Sequence, residues 1–214
     1  NSSLVSIEKY AFNECKALEN ISIKKTNITE IKPYTFNCWE ELTSVEMPNK
    51  LTKIGSHAFN KCSKLNNIKF PSTTNIIEKF AFYECKAIER LNLPFLNIKI
   101  GQNAFDKCTS LNAVILHHIS IISINTFSNC TNLSEIVIPY SVKTISNRAF
   151  EGSSLVNVEI PSSVKTIGEY VFKDCSKLKS AKIKCYELEL ISNGLFFNCT
   201  NLIDVEIPSS IEII

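Results

Sequence analysis

Phenylalanine recurs on a fixed beat through the whole chain. Phe12, Phe36, Phe59, Phe82, Phe105, Phe127, Phe150, Phe172 and Phe196 follow one another at intervals of 22 to 24 residues. A period of that length sets the architecture. One unit is too short to bury its own apolar face, so only its neighbours can cover it, and the chain must stack into a solenoid. Nine copies fill residues 1–214 and leave no room for a second fold, so a single repeat domain is expected.

Each copy repeats more than its ring. An Ile stands five residues before the Phe, as at Ile54, Ile77 and Ile145, and a Leu or Ile usually six after it, as at Leu65, Ile88 and Leu133. An alternating apolar pair follows, such as Val45/Met47, Leu91/Leu93 and Val158/Ile160. Period-two alternation with β-branched residues predicts a short strand. Pro48, Pro71, Pro94, Pro139, Pro161 and Pro208 close these strands, because proline has no N–H with which to extend a ladder. The stretch from Ile to Cys (IGSHAFNKC, IGEYVFKDC) is too short for a stable α-helix. It predicts an extended start, then one helical or 3₁₀ turn that drops Ala and Phe inward. Nine strands at ~4.8 Å spacing would make one parallel sheet roughly 40 Å wide.

The unit resembles the BspA-like, or Treponema pallidum-type, leucine-rich repeat, whose pattern reads LxxIxIPxSVxxIGxxAFxxCxxL. PYSVKTISNRAF, PSSVKTIGEYVFKDCSKL and PNKLTKIGSHAFNKCSKL match it almost letter for letter, and the match spans the chain. The resemblance implies a leucine-rich repeat solenoid of the α/β class, with about nine repeats of 22–24 residues. A parallel sheet would line the concave face and short helical or 3₁₀ turns the convex face. It also implies an adhesin-type protein, at the cell surface or extracellular, that binds host or matrix proteins through the concave face. The alternative is an intracellular, cytoplasmic scaffold whose repeats recruit a signalling or cytoskeletal partner. Free cysteines suit that alternative, as does the start NSSLVSIEKY, which lacks a signal-peptide layout.

Several copies depart from the pattern. Trp39 stands in the Cys column beside Cys38, AFEGSSL drops its Cys and one residue, and LHHISII replaces the Pro-Ser-Val start. IKCYELELI is one residue longer than usual, and IKKTNITEI resembles it. The frame begins in mid-repeat at Leu4 and Ile7 and stops in mid-repeat at Ile211 and Ile214, so a fragment of a longer chain is expected.

Composition narrows the function. With 23 basic and 21 acidic side chains the net charge is +2, which does not suit a nucleic-acid binder. No apolar run approaches the ~20 residues that span a bilayer, so no transmembrane segment is expected. A content of 44% hydrophobic residues excludes intrinsic disorder. Seven of the nine cysteines lie three residues after the repeat Phe: Cys15, Cys62, Cys85, Cys108, Cys130, Cys175 and Cys199. A rhythm of one per repeat, with no C-x₂-C pair, is the pattern of neither a disulfide framework nor a metal site. These thiols read as small hydrophobes filling a buried column, and the off-column Cys38 and Cys185 as the candidates for reactive thiols.

Of the three histidines, His57 reads as a solvated loop residue, and His117 and His118 replace the usual Pro-Ser. No glycine-rich phosphate loop or G-x-S-x-G elbow occurs, so no enzyme activity, cofactor or small-molecule substrate is expected. N-x-[ST] sequons begin at Asn1, Asn20, Asn27, Asn129, Asn132 and Asn198. They carry meaning only in a glycosylating secretory pathway.

The outward residues of the strands are where a protein partner would bind. One outward column runs Asn20, Ser44, Asn67, Arg90, Ala113, Glu135, Asn157, Ser180 and Asp204. The next runs Ser22, Glu46, Lys69, Asn92, Ile115, Val137, Glu159, Lys182 and Glu206. Both are polar except in the middle, where Ala113, Ile115 and Val137 gather. His117 stands there in the column otherwise held mostly by Pro, with Arg90 and Glu135 as flanks. An apolar patch with a polar rim has the character of a protein-binding site. The other reading of Ile115 and Val137 is of exposed β-formers that a strand tolerates.

Overall fold

The computed structural model describes residues 3–95 and 97–213, so the sequon at Asn1 and the terminal Ile214 lie outside the described residues. The chain winds as a parallel-strand solenoid of about eight turns, fewer than the nine copies of its frame. Each turn contributes strands to two ladders. The first comprises β1 (Asn20–Ser22), β3 (Ser44–Glu46), β5 (Asn67–Ile68), β7 (Arg90–Asn92), β9 (Ala113–Ile115), β12 (Asn157–Ile160), β14 (Ser180–Ile183) and β15 (Asp204–Glu206). These are the strands expected from the alternating pairs. The second comprises β2 (Glu30–Ile31), β4 (Lys53–Ile54), β6 (Ile76–Ile77), β8 (Lys99–Ile100), β10 (Ile121–Ile122), β11 (Thr144–Ile145) and β13 (Thr166–Ile167). It grows from the extended start before each Phe, where the conserved-phase Ile points inward.

The single continuous sheet expected from the period does not form. The first ladder is cut into β1-β3-β5, β7-β9 and β12-β14-β15. The second is cut into β2-β4-β6-β8 and β10-β11-β13. Register explains the second cut. The fifth copy, LHHISII, is one residue short between Leu116 and Ile122, so its partner slips where β8 would meet β10. The seventh copy is short between Phe150 and Leu155. Residues 136–138 lie between these two deletions and form no strand, although they carry the alternating pair.

The return stretch also differs from expectation: among the described residues it contains no α-helix and no 3₁₀ helix. It is a run of turns in which the residues two before and two after each repeat Phe are left-handed, as Tyr34 and Cys38 are around Phe36, at φ 60° and 55°. A helix directs every N–H along its own axis. Here alternate N–H groups leave the turn for the next coil: Tyr34 to Ser56 O, Phe36 to Ala58 O and Cys38 to Asn60 O, at 3.0, 2.9 and 2.8 Å. The intervening N–H groups close turns on their own coil, as Thr35 does to Lys32 O at 3.3 Å. A left-handed residue other than glycine costs about 1–2 kcal/mol. The inter-coil hydrogen bonds offset that strain, since a buried N–H left unmade costs about as much.

Inside, the repeat rings form one column. Neighbouring rings from Phe12 to Phe196 stack at centroid separations of 5.1 to 5.9 Å. Each buried Phe contributes about 1.5–3 kcal/mol by area, and each stacked pair about 0.5–1.5 kcal/mol beyond it. At Gly101 two coils come close: a Cβ there would lie 2.4 Å from the Lys79 nitrogen.

Candidate functional site

The cysteine column is structural, and its chemistry is a hydrogen bond. The Cys62 thiol donates to Phe36 O at 3.1 Å, Cys85 to Phe59 O at 3.0 Å, Cys108 to Phe82 O at 3.3 Å and Cys130 to Phe105 O at 3.3 Å. Most of these carbonyls also accept the N–H of their own coil's Cys, so both lone pairs are used. A thiol is small enough for the column and still supplies a weak donor. Trp39 fills the same role with its indole Nε1, which donates to Leu18 O. All nine cysteines are free, and burial pushes the thiols of Cys62, Cys85, Cys108 and Cys130 well up.

One expectation for the thiols is overturned. Cys185 is not an accessible reactive thiol: it is fully buried, with Sγ donating to Pro161 O at 3.3 Å, and burial pushes it up to about 11. The extra residue in IKCYELELI folds it inward, so lying off the column does not mean lying outside. Cys38 is half-buried, on a left-handed turn.

His57 is not simply solvated. It lies between Tyr34 and Phe80 at centroid separations of 4.7 and 4.8 Å, in an outer stack that begins at Tyr10. Burial and the nearby Lys79 hold its pKa below the usual histidine range. Asp106 is the buried carboxylate. Its Oδ2 accepts from Asn103 Nδ2 at 2.9 Å and its Oδ1 from Asn129 Nδ2 at 3.2 Å, and burial pushes its pKa up. That bond also occupies the amide of the Asn129 sequon. Among the described residues no three His, Cys, Asp or Glu side chains converge where a metal could sit, and no helix is long and apolar enough to cross a membrane.

The face of the first ladder carries the more distinctive surface. Arg90 pairs in register with Ala113, and Asn92 with Ile115. Ile115 is 52% exposed, and Val137, on a segment that forms no strand, is 81% exposed. Glu135 and Arg90 are exposed on either side, Ala113 is half-buried between them, and His117 is half-buried beyond the end of β9. Of the six residues singled out in the sequence, Arg90, Ala113 and Ile115 lie in the paired strands β7 and β9, His117 follows β9, and Glu135 and Val137 lie on the next coil outside any strand.

Two residues were missed. Phe95, 73% exposed, stacks on His117 at 3.7 Å between centroids, and Tyr140, 66% exposed, stands one coil further on. Both follow a strand-closing Pro, at a position that is Asn49, Ser72, Ser162 or Ser209 elsewhere. Comparing that column across copies would have exposed the run Phe95, His118, Tyr140.

The two ends of the face are polar in different ways. Over β12, β14 and β15 the charges are paired across strands: Lys184 with Glu159 at 2.7 Å and Lys182 with Glu206 at 2.8 Å. Over β1, β3 and β5 small side chains leave a hollow, and the lysines on its rim, Lys24 and Lys69, are exposed.

Comparison with known proteins agrees with this architecture. The model of the BspA type leucine rich repeat region matches residues 1–112 and 98–214. A leucine-rich repeat protein from Bacteroides ovatus superposes with a TM-score of 0.74 at 23% identity, over 98% of this chain and 66% of that one. A leucine rich cell surface protein from Faecalibacterium prausnitzii gives 0.59 at 21%, over 95% of this chain and 64% of that one. A leucine-rich repeat protein from Eubacterium ventriosum gives 0.56 at 20%, over 97% of this chain and 71% of that one. The chain therefore spans about two thirds of the length of the solved structures it resembles. No curated protein matches it at a significant level.

Proposed function

The chain belongs to the BspA-type leucine-rich repeat family, a family of interaction scaffolds, and from that premise we propose that it is an adhesin-type module at the cell surface that binds host or matrix proteins. The contact is the middle of the first-ladder face. Phe95, Ile115, Val137 and Tyr140 form its exposed apolar centre, His117 packs under Phe95, and Arg90 and Glu135 stand at the rim. The observation that carries this reading is the concentration of apolar exposure there, on a face whose two ends are polar. Aromatic anchors surrounded by polar groups are the usual composition of a binding hot spot. The residues at the centre take part in no inward packing that would otherwise account for their type.

The test is binding of purified protein to a panel of immobilised matrix and plasma proteins, compared with Ile115→Glu/Val137→Lys, which keeps net charge constant. Loss of binding by a variant with an unchanged circular dichroism spectrum supports the site. Unchanged binding by that folded variant removes it. The nine free thiols favour a second reading, a cytoplasmic scaffold with the same contact face. Fractionation of the source cells, probed with an antibody to the repeats, separates the two.

A further inference from the structure

We propose that the hollow over β1, β3 and β5 binds an extended acidic polypeptide segment. Outward Asn20, Ser44 and Asn67 are small, and beneath them lies an open hollow of about 630 Å³. It continues past Lys24 and Lys25 into a second of about 640 Å³, with Ser22 and Glu46 lining both.

The hydrogen-bonding capacity of this surface is lopsided. Two of its acceptors are used within the face: Asn20 Oδ1 takes the Thr43 and Ser44 hydroxyls at 2.9 and 2.7 Å, and Glu46 Oε2 takes the Ser22 hydroxyl at 2.5 Å. Its donors are left outward. Lys24, Lys25 and Lys69 are exposed and make no ion pair among the described residues, in contrast to Lys182 and Lys184 at the other end of the same face. The two hollows together are lined by three lysines and one carboxylate, Glu46, one of whose oxygens already takes a hydroxyl. Such a surface is matched by a ligand that brings acceptors and negative charge.

The floor decides between kinds of anion. Ile21 and Phe70 are only half-buried there, and Phe70 turns its ring edge-on to Phe82 at 5.8 Å. A polypeptide with carboxylates and an occasional apolar side chain satisfies both rim and floor, whereas a sulfated glycan leaves the floor unmatched. This inference does not depend on the apolar centre of the face, because it uses different coils and different chemistry.

The probe is the fluorescein-labelled peptide EEEELLEEEE, titrated by fluorescence anisotropy at low salt. Saturable binding is expected, weakened by added salt as exposed charges are screened. Lys24→Gln/Lys69→Gln is expected to weaken it about tenfold, the effect of losing two charge contacts. Lys182→Gln/Lys184→Gln, with the same charge change, should leave it within about twofold, as should Ile115→Glu/Val137→Lys. Failure to saturate, or equal loss with both lysine pairs, would overturn the proposal. So would displacement by a heparin-derived hexasaccharide at much lower concentration with the same lysine dependence, which would make the ligand a glycan.

Discussion

On the turn side the column of phenylalanine rings runs unbroken from Phe12 to Phe196, no neighbouring pair further apart than 5.9 Å. On the strand face the ladder is cut into three sheets, and its surface changes from a hollow with unpaired lysines, through an apolar centre, to a set of paired charges. The same repeats build both sides. On the turn side each inward residue is held by the coils before and after it, so one size and shape fits every copy. On the strand face the outward residues touch solvent, and nothing in the stack restricts them. Stability is concentrated on the first side, and the freedom to acquire a partner on the second.

The sharpest way to break that contrast is to exchange damage between the sides. Phe127→Ala removes a buried ring stacked on two others and should cost about 3–5 kcal/mol in urea unfolding. Ile115→Glu/Val137→Lys should change stability by no more than about 0.5 kcal/mol. Similar costs for the two would mean that the strand face also holds the fold together.

A smaller effect is expected in the cysteine column. Cys108→Ala deletes the thiol donor to Phe82 O and leaves a small void, which should cost about 1–2 kcal/mol. In native protein, Ellman's reagent at pH 8 should reach Cys15 and Cys38 readily and Cys199 only slowly, since burial raises the half-buried Cys199 thiol to about 11 and its Sγ donates to Phe172 O at 3.0 Å. Burial keeps the others as thiols at that pH, with Cys175 raised to about 12 and Cys185 to about 11. Rapid labelling of five or more sites would show that the column opens.

Smaller still is the effect of the left-handed turns. Lys61, exposed at φ 59°, should accept glycine with a change of less than about 1 kcal/mol, because relief of strain and loss of unfolded-state restriction nearly cancel. Lys61→Val should be destabilising, since a branched side chain is the worst occupant of that conformation. A midpoint for Lys61→Val equal to wild type would show that the turn has another way to fold.

The smallest expected effect is in pH dependence. Burial raises the pKa of Asp106 in the folded chain, so the folded form holds this proton more tightly than the unfolded form. Its contribution favours folding below the unfolded pKa and is lost as pH rises through the folded value. Asp106→Asn should remove that slope from a urea-midpoint profile across the acid range, and an unchanged slope would assign it to other groups.

Much of this was legible in the chain because an inward position is constrained by its own neighbours. The Phe and Cys columns and the first-ladder strands other than that of residues 136–138 were read correctly as to place. Phe95 and Tyr140 were not, because a residue after the strand-closing Pro has no required orientation. The helical turns expected around each Phe were wrong for a related reason. Local length alone permits a tight helix, but the next coil offers carbonyls that only alternating left-handed residues can reach.

The repeat period by itself determined that this chain is a stack, which residues are buried in it, and how many copies compete for a place. The tertiary structure alone decided that the turns are not helical and where the ladders break: the second between β8 and β10, and the first between β5 and β7 and between β9 and β12. It also decided that Cys185 turns inward and that the apolar centre includes Phe95. Periodicity records what every coil has in common, whereas breaks, exposures and partnerships arise from how one particular coil meets the next.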